Sequence, residues 1–119
     1  MKIKGFVDDS GCPRIPFRSL EGEKWSLVVD TGFNGALCLP DHLIKHLEFS
    51  YAGTYEIELA NGDRLDSKVY VGEILWFQKK TEVLAHETIS REGLVGTELL
   101  WGTTFELDMD KNLVLITQK

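Results

Sequence analysis

The chain has 119 residues, 43% of them hydrophobic and 10% aromatic, which is the composition of a folded domain and not of a disordered segment. Its formal net charge of −6, with no Lys/Arg stripe, excludes a general binder of phosphate backbones, so no nucleic-acid partner is expected. No run is long and apolar enough to span a membrane, and Met1-Lys2-Ile3-Lys4-Gly5 leads into a polar turn without a signal-peptide core, so a cytoplasmic protein with no membrane partner is expected.

Taken in chain order, Ile3 to Val7 and Arg14 to Leu20 read as short strands about the turn Asp8-Asp9-Ser10-Gly11, the second an edge strand or an irregular one because of Pro13 and Pro16. Glu21-Gly22-Glu23 turns the chain into a strand over Lys24 to Asp30. This strand is apolar through Leu27, Val28 and Val29 and then stops at Asp30-Thr31-Gly32. An Asp is seldom placed at the edge of a dry core without a partner, so the position needs an explanation. Asp-Thr-Gly is also an ordinary strand-ending turn, and the tripeptide alone does not decide between the two.

Ala36-Leu37-Cys38-Leu39 is apolar, and Cys38 reads there as a small buried hydrophobe. Cys12 and Cys38 are the only cysteines and are expected to be free thiols. Pro40 to Leu47 has apolar residues at helical spacing behind a proline and reads as a short helix. Tyr55 to Ala60 and Arg64 to Val71 alternate polar with apolar about Asn61-Gly62-Asp63, a strong hairpin signal. Ile74 to Phe77 and Glu82 to Ala85 read as further strands. After Gly93-Leu94-Val95-Gly96 comes a helical piece, Thr97 to Trp101, and then two strands, Thr104 to Asp108 and Leu113 to Thr117. Many short strands, two short helices and no linker indicate a mostly-β barrel or sandwich in one domain, residues 1–119.

Val28-Val29-Asp30-Thr31-Gly32, the hairpin at Asn61-Gly62, and Leu94-Val95-Gly96 followed by a helix stand in the order found in the retropepsin-like aspartic proteases (clan AA), and the chain resembles that family over nearly its whole length. Asp-Thr-Gly-Phe with Leu-Pro shortly after is similar to a prokaryotic branch of the clan. The resemblance implies a closed, mostly-β, single-lobe acid-protease barrel with one or two short helices. It also implies an aspartic endopeptidase that needs no metal or cofactor and acts on a peptide or protein substrate.

In such an enzyme two carboxylates share a proton and activate a water, one taking a proton and the other giving one. Because the motif occurs once here, the resemblance implies a homodimer in which Asp30 faces Asp30 of a second copy. Thr31 would carry hydroxyl bonds beneath the pair, and Gly32 would let substrate backbone approach. Asn61, Gly62 and Asp63 would belong to a flap over the peptide. Leu94, Val95 and Gly96 would pack beside the catalytic loop. Phe33 stands where the viral enzymes have a small residue, so it narrows the cleft or remodels a specificity pocket. Asn34 and Thr97 replace the acid–arginine pair of the retroviral enzymes, so dimer support must come from elsewhere. The alternative function is a peptide-binding domain of the same fold that does not cut.

The remaining polar residues read plainly. His42 and His46 are four apart on one helix face, but without a third ligand they read as solvated. His86 stands alone and reads as a surface residue, and Asp8-Asp9 and Asp108/Asp110 as acidic turns. Trp101, after the last helix, is a candidate interface residue.

Overall fold

The structure is a computed structural model that describes residues 1–58 and 61–119, with the side chains of residues 57 and 58 not described. Its strands are β1 (Lys2–Val7), β2 (Pro13–Arg18), β3 (Lys24–Val29), β4 (Leu37–Pro40), β5 (Ser50–Glu58), β6 (Arg64–Trp76), β7 (Lys79–Thr88), β8 (Leu94–Val95), β9 (Thr103–Asp108) and β10 (Leu113–Gln118). The helices are α1 (Asp41–His46) and α2 (Thr97–Leu100). The fold is thus mostly β with two short helices, as the sequence predicts.

Period-two burial sets the faces of the strands. Ile15 and Phe17 of β2, Leu27 and Val29 of β3, Leu37 and Leu39 of β4 and Val114 and Ile116 of β10 point into one core, each at most 4% exposed. The charged residues between them, such as Arg14 and Arg18 on β2, point outward.

The strands hydrogen-bond in the order β5-β6-β7-β4-β8-β3-β2-β1-β10-β9. The sheet curls until β2 meets β6 at one residue pair, Arg18 opposite Leu75. That one pair is the extent of the β2–β6 contact, and it does not establish the closed barrel of the sequence reading. Between β3 and β4 runs β8, parallel to β3 and antiparallel to β4. This interleaving brings two segments distant in sequence side by side.

Strand β6 explains where the sequence reading divides what the chain keeps whole. Ser67 and Val69 are buried, but farther along the buried position is Ile74, so the inward face changes from odd to even residues near Gly72. A strand that buries first one face and then the other loses its simple alternation, and it reads as two. Its register against β7 is nevertheless continuous from Val69 opposite His86 to Trp76 opposite Lys79. Phe49 lies against Gly72 at this crossing, where any Cβ would fall inside the phenyl ring.

The two hairpins also exchange expected roles. Glu58 pairs with Arg64, a register that is not centred between Asn61 and Gly62, so these two do not form a two-residue turn. Asn61 Oδ1 accepts the Asp63 N–H at 2.9 Å, and Gly62 has φ of 90°. Leu59 and Ala60, the end of the strand expected over Tyr55 to Ala60, lie outside the described residues. The two-residue turn is instead Phe77-Gln78, between Trp76 and Lys79, with φ of 51° and 63°. Both residues take the left-handed conformation that hairpin twist demands and that side chains disfavour. Phe77 offsets that cost by burial, being 5% exposed, whereas Gln78 is exposed and has no such return.

Gln78→Gly is therefore expected to raise stability by about 0.5–1 kcal/mol, because glycine adopts positive φ freely. Phe77→Gly gains the same freedom but removes a core side chain, and is expected to lower stability by about 2–3 kcal/mol. Urea unfolding of the two variants checks the opposite signs.

Candidate active site

Asp30 follows directly on Val29, the last residue of β3, and the adjoining β8 fixes it there. Its N–H donates to Val95 O at 2.9 Å, its C=O accepts the Phe33 N–H at 3.1 Å, and its Oδ1 accepts the Gly32 N–H at 2.9 Å. The carboxylate is half-buried, while Thr31 and Gly32 are exposed. The loop is a compact Asx-type turn that presents an acid on a rigid strand end.

The second segment locks onto this turn through backbone bonds. Gly96 N–H donates to Ala36 O at 2.9 Å, Thr97 N–H to Phe33 O at 2.9 Å and Glu98 N–H to Gly35 O at 3.2 Å. The Thr97 hydroxyl also donates to Phe33 O, at 3.4 Å. Thr97, in the position that holds arginine in the retroviral pattern, thus ties the two loops together within one chain. Gly96 is required by geometry: a Cβ there would lie 2.6 Å from Phe33 O and from the Phe33 ring, and closer still to Gly35 O. At Gly32 a Cβ would meet only Asp30 Oδ1, at 3.2 Å.

Leu94 and Val95 therefore support the acid turn from β8, Val95 being fully buried. The segment is further anchored by Arg14, whose guanidinium reaches Asp8 at 2.6 Å and Glu92 at 2.7 Å. The guanidinium beside Asp8 holds that carboxyl below its usual range, with the Cys12 N–H assisting.

Next to the turn opens a groove of about 960 Å³, lined by Phe33, by Cys38, by Pro40 to His42, by Leu65 to Lys68 of β6 and by His86 to Arg91. Of the residues the sequence assigns to substrate, Phe33 lines this groove, whereas Leu94, Val95 and Gly96 lie behind the turn as support. Asn61, Gly62 and Asp63 sit at the end of the β5–β6 hairpin, whose β6 strand forms one wall. Burial raises the Cys38 thiol, against a hydrogen bond with Thr88, and the charge of Asp30 adds to the rise. Both cysteines are free, and Cys38 is half-buried, less covered than its apolar run suggests.

At the far end Lys45, 3.0 Å from Asp41, lowers that carboxyl, while burial and the facing Asp41 raise Glu87. The two helix histidines part company: His42 lines the groove, and His46 lies 3.0 Å from Glu23 and edge-on to Trp25.

His86, read from sequence as a surface residue, is instead half-buried in the groove wall. Its ring meets Phe33 edge-on at 5.7 Å and Tyr55 of β5 at 6.2 Å. Its Nδ1 is buried without a hydrogen-bond partner among the described residues. Only the register of β7 against β6 and the fold of the acid turn bring these three rings together, and a lone histidine carries no periodic signal of that. Burial lowers the imidazole below its ordinary 6.5, an effect that the negative charge of Glu98 partly offsets.

Comparison with solved structures agrees with this arrangement. A retropepsin-like aspartic protease from Rickettsia conorii superposes with a TM-score of 0.63 at 21% identity, covering 97% of this chain and 98% of that one. The foamy viral protease-reverse transcriptase in complex with an RNA/DNA hybrid gives a TM-score of 0.55 at 16% identity, over 73% of this chain and 11% of that one. The same viral polypeptide with double-stranded DNA gives 0.57 at 17% identity, over 80% and 16%. No protein-family model and no curated protein sequence matches the chain.

Two predictions follow from the geometry. Gly96→Ala is expected to cost about 2–3 kcal/mol, since its Cβ meets backbone carbonyls that cannot rotate away, whereas Gly32→Ala costs less than about 1 kcal/mol; chemical denaturation separates them. For His86 the unfolded chain takes up a proton as pH falls through 6.5 and the folded chain only at lower pH. Its contribution is thus fully present above pH 6.5 and is lost as pH falls toward the folded value. Comparing unfolding free energies on either side of 6.5 should show a shallower decline in His86→Phe than in the wild type.

The interleaved β3, β4 and β8, the acid turn and the flanking hairpin give this chain the retropepsin-like fold of the aspartic proteases.

Proposed function

We propose that residues 1–119 form a single aspartic protease domain that works as a homodimer and hydrolyses peptide bonds with a water held between Asp30 and its counterpart in a second copy. The observation that carries this reading is the position of Asp30. It is half-buried, fixed by backbone bonds to Val95, Phe33 and Gly32, and three residues before Phe33, the residue of its turn that lines a groove of about 960 Å³.

One carboxylate on a rigid strand end is half of an acid–base pair. Bringing the second to about 3 Å makes two ionised forms costly together, so one proton is shared. The unprotonated carboxylate takes a proton from the water as its oxygen attacks the scissile carbonyl carbon. The protonated one gives its proton to the carbonyl oxygen, forming a neutral tetrahedral diol. In the collapse of the diol one hydroxyl gives its proton to the carboxylate that had protonated the carbonyl oxygen, and the C–N bond breaks as the nitrogen takes the proton that the other carboxyl had drawn from the water. No covalent enzyme intermediate forms, and this chain's residues need no metal for any of these steps.

Thr31 braces the pair from below, and Gly32, exposed beside Asp30, leaves room for substrate backbone. The hairpin carrying Asn61, Gly62 and Asp63 closes over the peptide and excludes water. Exposed Trp101, just after α2, supplies apolar surface for the contact between copies. Among the described residues no helix is long and apolar enough to cross a membrane. The reading places the enzyme in the cytoplasm, acting on peptides or proteins.

The test pairs chemistry with assembly. Cleavage of a peptide library, followed by mass spectrometry from about pH 3 to about pH 8, should fall at least about 10³-fold in Asp30→Asn, while the variant keeps its fold. Sedimentation equilibrium should show a dimer. A strict monomer at high concentration overturns the paired mechanism. Equal inertness of wild type and Asp30→Asn, with peptide still bound, assigns the chain to peptide binding without cleavage.

A further inference from the structure

The groove wall contains a buried polar atom that nothing among the described residues satisfies. His86 Nδ1 has no partner among the described residues, although its ring is enclosed edge-on by Phe33 at 5.7 Å and by Tyr55 at 6.2 Å. Buried side-chain nitrogens are hydrogen-bonded in the great majority of cases, so this one, closed off from solvent in a residue that lines the groove, calls for a partner. The wall around it is largely apolar, with Phe33, Pro40 and Leu65 from three separate elements and Ile89 fully exposed at the rim.

Phe33 belongs to the acid turn, so whatever occupies this place lies next to the reacting bond. Tyr55 belongs to β5, the hairpin strand, so a ligand group that reaches His86 Nδ1 takes the place that Tyr55 holds against the ring.

We infer that His86 is a specificity-determining residue that accepts a hydroxyl-bearing aromatic side chain, tyrosine above phenylalanine, seated between Phe33 and the hairpin. The proposal rests on the protease reading for the position of the scissile bond, but the pocket itself is a binding feature.

The chemistry selects the hydroxyl. A neutral imidazole offers at Nδ1 either a donor or an acceptor, depending on its tautomer, and a hydroxyl complements both. A carboxylate or ammonium gains no countercharge from a neutral ring, and the nearby Asp66, Lys68, Glu87 and Arg91 are of mixed sign. A phenyl ring fills the apolar space and keeps the edge contact, yet leaves Nδ1 unpaired. Sites built to bond a hydroxyl discriminate strongly against the analogue that lacks it, because their own polar group is then stranded. In the empty groove Tyr55 stands as the chain's own aromatic cover for the ring.

The experiment uses the full chain carrying Asp30→Asn, so that binding is read without turnover, and two capped alanine-based hexapeptides that differ only in a central Tyr or Phe. Calorimetric titration should give about tenfold or greater preference for the Tyr peptide. In the added variant His86→Phe the preference should fall to within about twofold, while His86→Asn, which keeps a polar atom near the Nδ1 position, retains part of it.

Imidazole ¹⁵N spectra of the His86 chain should show the Nδ1 resonance move with the Tyr peptide and stay unchanged with the Phe peptide, a readout independent of how well the variants fold. Equal affinity for both peptides, or an unmoved Nδ1 signal when the Tyr peptide is bound, overturns the inference. Tyr-selective binding without cleavage by the wild type leaves His86 its role and removes the protease reading, so the two failures are distinct.

Discussion

The structure depends on a short exchange of backbone hydrogen bonds between the acid turn and the segment that follows β8. Asp30 donates to Val95, and Gly96, Thr97 and Glu98 donate back to Ala36, Phe33 and Gly35. These bonds hold together pieces of chain sixty or more residues apart, and no side-chain charge takes part in them. They require that one backbone lie against the carbonyls of the other, which only a residue without Cβ permits at position 96. The acid is therefore positioned by peptide geometry, in a lattice that pH and salt barely touch. Such an arrangement suits a carboxylate whose protonation must change during a reaction while its place does not.

The long strand β6 serves two needs at once. Its second half buries Ile74 in the core beside the turn Phe77-Gln78, while its first half leaves that core to form the hairpin and one wall of the groove. A strand shared in this way couples the groove wall to the most rigid part of the fold. The change of inward face near Gly72, with Phe49 packed against the missing side chain, is where the strand passes from one role to the other. The ion pair between Arg64 and Glu56 joins the hairpin strands at the exposed end, where water reduces its worth.

Much of this was legible in the sequence, and the exceptions have physical causes. The apolar run into Asp30, the Leu94-Val95-Gly96 motif and the paired terminal strands are local patterns, and each lies where the periodicity places it. Strand β6 was divided because its buried face changes, and a pattern of period two cannot represent that. The Asn61-Gly62 signal locates the hairpin but not its register, since Glu58 lies opposite Arg64 and the turn is not centred between Asn61 and Gly62. The turn at Phe77-Gln78 has no glycine or asparagine to announce it, because burial of Phe77 compensates its backbone. His86 was misplaced for the deepest reason: its environment is made by three segments far apart in sequence, and nothing near it in the chain records Phe33 or Tyr55.

Phe33 and His86 together make the departure from a generic acid-protease loop intelligible. A phenylalanine directly after Asp-Thr-Gly costs room beside the acid, and a buried imidazole nitrogen without a partner costs desolvation. A fold whose other parts agree locally with their neighbours does not keep two such costs in contact without a compensating gain. The Phe33 ring packs against the glycines at 35 and 96, so its bulk is absorbed by the same missing Cβ atoms that let the loops interlock. Its edge contact with His86 then turns a loop residue into part of the groove wall. The bulk at position 33 and the orphan at position 86 are two sides of one pocket. What satisfies that pocket has to arrive with the ligand.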